Sequence, residues 1–212
     1  MLLSKFNFIL IILLGFVEQK LYLDQIVNSD GLFYKKSDQK LVNGKVYLNK
    51  DEGDKFLGKI VKGEKKGLWL DFYSNGKKKG EYTYKNGMMN GPYTLWFKNG
   101  VRGEYGFYKD NKKDRLIIKW DQNGKKYSSV TFKDGYYHGK IIFYKTNGKI
   151  KYEGIYREGK CIQGIKKGFR HKGKFPNPVY EVYEDNKLVK LKWLDKDDRI
   201  TEIYDCTKQD CN

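Results

Sequence analysis

Residues 75–100 read NGKKKGEYTYKNGMMNGPYTLWFKNG, and this stretch decides the fold. It opens and closes on Asn-Gly, at Asn75-Gly76 and Asn99-Gly100, with a third pair, Asn86-Gly87, between them. Asn-Gly is a strong hairpin signal, because both residues tolerate the left-handed backbone of a tight reversal. The runs between the pairs are short for helices. They are rich in Tyr, Thr, Leu and Trp, types that suit a pleated surface. The stretch therefore reads as strand, turn, strand, turn.

The reversals recur outward on a fixed period. Asn-Gly returns at Asn123-Gly124 and Asn147-Gly148, each 24 residues after the last. A second series, Asn86-Gly87, Asp110-Asn111, Asp134-Gly135 and Glu158-Gly159, has the same period. Asn111 stands where the others have glycine, and asparagine is the substitute that best accepts the left-handed region. Aromatic residues keep the same time. Tyr84, Tyr108, Phe132 and Tyr156 sit just before one turn series. Phe72, Trp96, Trp120 and Tyr144 hold a second position, two residues after Leu70, Thr94, Ile118 and Ile142. Residues two apart share a strand face. Leu70 with Phe72, and Ile118 with Trp120, are expected to build an apolar face. Trp69 with Asp71, Tyr93 with Leu95, Ile117 with Lys119 and Ile141 with Phe143 make the opposite face mixed. Gly67, Gly91 and Gly139 open the strands that carry the Trp/Phe position, and Arg115 breaks that series, which predicts altered local geometry there.

The expected architecture is all-β: an elongated antiparallel β-meander, a single twisted sheet of repeated 24-residue hairpins, preceded by an N-terminal signal helix. Residues 1–20 are read as a signal peptide or anchor, 21–57 as a leader and degenerate first repeat around Asn43-Gly44, and 58–161 as the hairpin repeats. Residues 162–212 are read as an atypical repeat and β cap, as the ends of arrays usually are. Within it, 162–178 look irregular, with Pro176 and Pro178 bounding a break.

Residues 1–17 read MLLSKFNFILIILLGFV: one Lys, then a run of 12 residues, Phe6 to Val17, apolar but for Asn7 and Gly15. A spanning helix needs about 20 apolar residues, so length and flanks suit a secretory signal. No Ala-x-Ala site is present, so retention of residues 6–17 as an anchor, or their burial in the fold, stays open. Export would place the protein in the periplasm or outside the cell, where Cys206 and Cys211 could form a short disulfide.

The pattern N-G-x-x-x-G-x-Y-x-Y-x-N-G-x-x-x-G-x-x-x-x-W from Asn75 to Trp96 resembles the bacterial variant of the MORN repeat family. The upstream Asp30-Gly31-Leu32-Phe33-Tyr34-Lys35-Lys36, followed by Asn43-Gly44-Lys45-Val46, is similar to the leader of such arrays in exported proteins. The resemblance spans roughly residues 24–165. It implies an elongated antiparallel sheet of successive hairpins. Some members bear the name YwqK-type antitoxin, which implies binding to a partner protein. Eukaryotic relatives are associated with membranes, scaffolding and anionic lipids.

Chemistry finds little support. Gly154 to Cys161 looks like a phosphate loop, but Cys161 stands where a Ser or Thr must hold magnesium. Asp51-Glu52-Gly53-Asp54 is too short for a calcium loop. His138 reads as a turn residue, and His171 lies among Arg170, Lys172 and Lys174 on a basic loop. No metal, cofactor or small-molecule substrate is expected. The net charge of +17 favours anionic partners, although the excess of Lys over Arg also fits AT-rich coding and a merely solvated surface. Lysines beside tyrosines, as at Lys77-Lys78-Lys79-Gly80-Glu81-Tyr82, are the mixture that single-strand nucleic-acid binders use. Here cross-strand packing already accounts for the rings, so nucleic acid is disfavoured. The leading expectation is a non-catalytic, exported protein-interaction module at the cell envelope. The alternatives are a basic β platform on anionic membrane lipids and an antitoxin-type neutraliser of a partner protein. N-terminal mass analysis of the fractionated protein is expected to find a mature start within residues 16–21. Recovery of Met1 would remove the cleaved-signal reading.

Overall fold

The computed structural model describes residues 19–48, 53–172, 175–185, 187–194 and 199–205. The expected signal helix, and Cys206 and Cys211, lie outside the described residues. The described elements are β1 (Lys20–Tyr22), a 3-10 turn (Leu23–Gln25), β2 (Ile26–Ser29), β3 (Leu32–Lys35), β4 (Gly44–Tyr47), β5 (Phe56–Val61) and β6 (Glu64–Phe72). There follow β7 (Lys78–Lys85), β8 (Met88–Trp96), β9 (Arg102–Lys109), β10 (Lys112–Trp120), β11 (Lys126–Lys133) and β12 (Tyr136–Tyr144). The last are β13 (Ile150–Arg157), β14 (Lys160–Lys172), β15 (Phe175–Glu184), β16 (Lys187–Leu194) and β17 (Ile200–Asp205). Strands β4 to β17 pair in sequence order as one antiparallel meander, and β1 adds to β4 in parallel. The all-β meander expected from the repeat is thus the fold.

The two turn series differ in build. Asn86-Gly87, Asp110-Asn111, Asp134-Gly135 and Glu158-Gly159 have positive φ at both residues, the type I′ hairpin turn. At Asn75-Gly76, Asn99-Gly100, Asn123-Gly124 and Asn147-Gly148 only the glycine is left-handed. There Gly76 N–H donates to the Tyr73 carbonyl and Tyr73 N–H to the Lys77 carbonyl, each at 2.9 Å. This is a type I turn closed by a left-handed glycine, a three-residue loop. Asparagine serves it through its side chain instead. Asn99 Oδ1 accepts from Val101 N–H at 3.0 Å, and Asn99 Nδ2 donates to the Gln122 carbonyl of the next loop at 2.9 Å. The type I′ rim is sewn laterally as well: Gly135 N–H reaches the Lys113 carbonyl and Gly159 N–H the Tyr137 carbonyl, both at 2.9 Å.

Gly91 and Gly139 lie inside β8 and β12, in bulges that set three residues against one. Residues 90–92 oppose Thr83 alone, and residues 138–140 oppose Thr131 alone. The altered geometry expected at Arg115 is present as a shift of one residue: Asp114 pairs with Phe107 and residues 115–117 oppose Gly106, where the glycine-bearing repeats would put 114–116 opposite Phe107. Arg115 takes φ 63° in this bulge.

The core lies on the face expected to be mixed. Trp69, Tyr93, Ile117 and Ile141, one per repeat, are at most 4% exposed. Their cross-strand partners continue the row: Trp69 pairs with Tyr82, Tyr82 with Tyr93, Tyr93 with Gly106, Ile117 with Val130, Val130 with Ile141, and Ile141 with Gly154. Glycines in the row make room for bulky neighbours. A Cβ on Gly58 would fall 2.4 Å from the Trp69 indole. Tyr84, Tyr108, Phe132 and Tyr156 flank the row on the same face. The Tyr93–Tyr108 rings lie 4.6 Å apart and the Tyr137–Tyr156 rings 5.6 Å. At the start of the sheet the β2–β3 hairpin closes the row. Phe33 N–H donates to the Gly63 carbonyl at 2.8 Å, and Ile26, Val42 and Phe33 join the cluster around Trp69.

Asn43-Gly44 leads directly into β4, which begins at Gly44. One further expectation is corrected. Residues 162–178 are not irregular, since β14 and β15 pair without interruption from Gly164↔Tyr183 to Lys172↔Phe175. Pro176 and Pro178 fit because the pairing of β15 with β16 begins only at Val179, leaving the prolines on a stretch where the missing N–H breaks no second ladder.

Urea unfolding should separate these constraints. Gly106→Ala, whose Cβ would meet Ile117 at 2.8 Å and Tyr93 at 2.9 Å, should lose about 1–3 kcal/mol. Glu158→Asn relieves a left-handed glutamate at φ 49° and should gain about 1 kcal/mol. An unchanged midpoint for Gly106→Ala would contradict the close-packed row.

Candidate interaction face

The opposite face of the sheet is mixed, and the described residues leave it open. Its middle row runs Leu70, Glu81, Thr94, Tyr105, Ile118, Ser129, Ile142 and Glu153 through successive pairings. Leu68, Tyr105, Leu116 and Ile155 are each at least 40% exposed. The expected apolar face of Leu70, Phe72, Ile118 and Trp120 therefore exists, but as surface. The packed face is the one on which glycines stand opposite bulky residues: Gly58 against Trp69, and Gly106 against Tyr93 and Ile117.

Near the Asn-Gly rim this face carries a regular mixed row. Phe72 pairs with Lys78, Trp96 with Arg102, and Trp120 with Lys126. Each cation also lies over the ring of the next strand: Lys78 Nζ is 4.9 Å from the Trp96 ring, Arg102 Cζ 5.6 Å from Trp120, and Lys126 Nζ 4.6 Å from Tyr144. The order across β6 to β12 is Phe72, Lys78, Trp96, Arg102, Trp120, Lys126, Tyr144. The aromatic half of this row was legible in the sequence. The cations were missed, although Lys78, Arg102 and Lys126 keep the same 24-residue period. Arg115, held by its bulge, adds a fourth cation on this face, 4.1 Å from the Phe107 ring. A shallow cleft of about 530 Å³ closes the row, lined by Lys125, Lys126, Tyr144, Lys145, Thr146 and Asn147.

The row rests on a fixed rim. Tyr73 donates its hydroxyl to the Trp96 carbonyl at 2.7 Å, and Asn75 Nδ2 reaches the Lys98 carbonyl at 3.4 Å. Lys78 also bonds Glu81 at 2.8 Å, so its ammonium is held on the face.

The packed face holds the densest charge cluster. Glu104 accepts from Lys113 at 2.7 Å and Lys119 at 3.1 Å, and from the Tyr93 hydroxyl. Burial alone would raise the Glu104 carboxyl, but the bonds from Lys113, Tyr93 and Lys119 outweigh it and hold it below the usual range. Burial, then the bond to Glu104, pushes the Tyr93 phenol up. Burial also pushes Tyr82 up to about 12. Lys65 moves down through burial, its ammonium 4.3 Å from the Trp69 ring and 5.0 Å from Tyr84. These groups sit in packed side chains and not in a cleft, so they brace the sheet.

The remaining sequence candidates disperse. Glu158-Gly159 is a hairpin turn followed by β14, so the phosphate-loop resemblance has no helix behind it. His138 lies in the β12 bulge and not in a turn. Its Nδ1 is buried without a hydrogen bond to described residues. Among the described residues no group of three His, Cys, Asp or Glu converges as metal ligands. Cys161 is buried beside Tyr156 and Val130.

Because the folded carboxyl of Glu104 sits below its unfolded pKa of about 4.3, its contribution is full above that value and fades as pH falls through the folded one. Glu104→Gln should cost about 2 kcal/mol near neutrality and flatten the acid limb of stability against pH. A variant with the wild-type acid limb would show that Glu104 does not carry it.

No protein-family model matches this chain, and no curated protein matches it.

Proposed function

We propose that this protein is a non-catalytic interaction module whose open sheet face docks an acidic protein partner, with the cell envelope as its site of action. The carrying observation is the asymmetry of the two faces. One is filled with packed rings, whereas the other presents Tyr105 and Leu116 exposed, and Trp96, Trp120 and Phe107 partly buried, beside Lys78, Arg102, Arg115 and Lys126. Trp, Tyr and Arg are the residues in which binding hot spots are enriched. Exposed apolar patches of this kind mark interaction sites in soluble proteins. The net charge of +17 supplies the complementarity that selects an acidic surface and speeds encounter. The family resemblance to bacterial MORN-type repeats and their antitoxin-type members supports the same reading, since it points to partner binding.

Site-specific photo-crosslinking in the native cell tests it. A photoreactive residue in place of Leu68 or Leu116, both 46% exposed on the open face, should yield one discrete heteromeric adduct. The same residue in place of Tyr137, on the packed face, should not. Adducts from both faces alike, none at all, or a product of two copies of this chain would overturn the proposal.

A further inference from the structure

We infer that the open edge of β14 takes an extended acidic segment of a partner protein as an added strand, selected by the backbone groups and the basic residues along that edge. The site lies apart from the ring row of the open face, so each reading can fail without the other. β14 pairs with β13 only from Lys160 to Gly164, and with β15 from Gly164 to Lys172. The strands part at Gly164, which has φ 112° and lies so close to β13 that a Cβ would fall 2.5 Å from the Gly154 Cα. Beyond it, residues 165–172 have β15 as their only strand partner among the described residues, and residues 150–153 of β13 have only β12. Continued past Gly154↔Gly164, the register would set Gly168 beside Ile150, where β13 begins. Residues 169–172 therefore run past the end of β13.

The prolines of β15 show which backbone groups lie on that edge. In an antiparallel pair, alternate residues turn both N–H and C=O toward the partner, and those between turn both away. Proline has no N–H to give to a ladder. Pro176 and Pro178 are matched with His171 and Phe169, so these are the outward-turned pairs. On β14 the outward N–H and C=O groups are then those of Ile165, Lys167, Phe169 and His171. At this level the far edge of the arm is blocked by the two prolines, a common guard on edge strands. The β14 edge carries no proline.

Charge selects the strand that pairs there. No Asp or Glu occurs between Glu158 and Glu181, whereas Lys166, Lys167, Arg170, Lys172 and Lys174 do. Alternation sets Lys166, Arg170 and Lys172 on one face of the arm and Ile165 and Phe169 on the other. A second copy of this basic edge would bring lysine against lysine, the pairing that edge lysines prevent. An acidic strand makes opposite-charge cross-strand pairs, which stabilise a sheet. The backbone decides against other polyanions. The phosphate oxygens of nucleic acid or lipid only accept hydrogen bonds. This edge presents carbonyls as well as N–H groups, and an extended polypeptide satisfies both.

The test uses the full chain and a fluorescent peptide of alternating Glu and Val, against the same peptide N-methylated throughout, which keeps the charge and removes the backbone donors. Saturable binding of the first, weakened by salt, and none of the second, is expected. Phe169→Pro deletes an outward N–H while leaving the ladder to β15 intact, so it should weaken binding about tenfold. Phe169→Val keeps that N–H and should retain the affinity. Lys166→Glu with Arg170→Glu should weaken binding about tenfold and reduce its salt dependence. Circular dichroism confirms that each variant keeps its sheet. Equal binding of the two peptides, unchanged affinity in the folded Phe169→Pro variant, or an equal loss in Phe169→Val would overturn the inference. So would capture of oligothymidylate or phosphatidylglycerol vesicles by this edge with no peptide binding. If the peptide fails while the crosslinks from positions 68 and 116 persist, this inference falls and the docking reading stands.

Discussion

Among the described residues the sheet has no second layer to press against over most of its length, and that constraint governs the rest. Apolar area must be buried sideways, between neighbours on one face. Trp69, Tyr93, Ile117 and Ile141 reach near-complete burial because the facing positions are small or flat: Gly58, Gly106 and Gly154 alternate with Tyr82 and Val130. Each large side chain lies across a strand that gives up its own side chain. Remove one glycine and the row has nowhere to settle.

The same lateral dependence sets the backbone. Neighbouring hairpins are tied at the rims, through the N–H groups of Gly87, Asn111, Gly135 and Gly159 on one side and the amides of Asn75 and Asn99 on the other. Arg115 adopts a left-handed conformation that Gly91 and Gly139 take without strain. Its guanidinium stacks on Phe107, a contact a glycine could not make. Glu158 and Lys62 occupy left-handed turn positions in the same way. Local preference yields at these sites to the register of the sheet.

Packing one face leaves the other available. A single layer has two surfaces, and only one is consumed by the fold. The half-exposed rings of the open face are held at regular intervals because the strands beneath them are. The period that stabilises the packed face is therefore also displayed as a ruler on the open one.

The sequence by itself determined the strands, the reversals and the 24-residue period, because left-handed positions accept few residue types and Asn and Gly mark them openly. It also marked both aromatic series, which recur at that period. Tertiary structure alone decided which face is core. Alternation along a strand names two faces but ranks neither, and here Leu70 and Trp120 looked as apolar as Trp69 and Ile117. The facing glycines, Gly58, Gly106 and Gly154, make room on the packed face, and they do so only once neighbouring strands are paired. The cations of the open row were hidden for a related reason. Among 43 basic residues, Lys78, Arg102 and Lys126 stand out only when pairing sets each beside a ring.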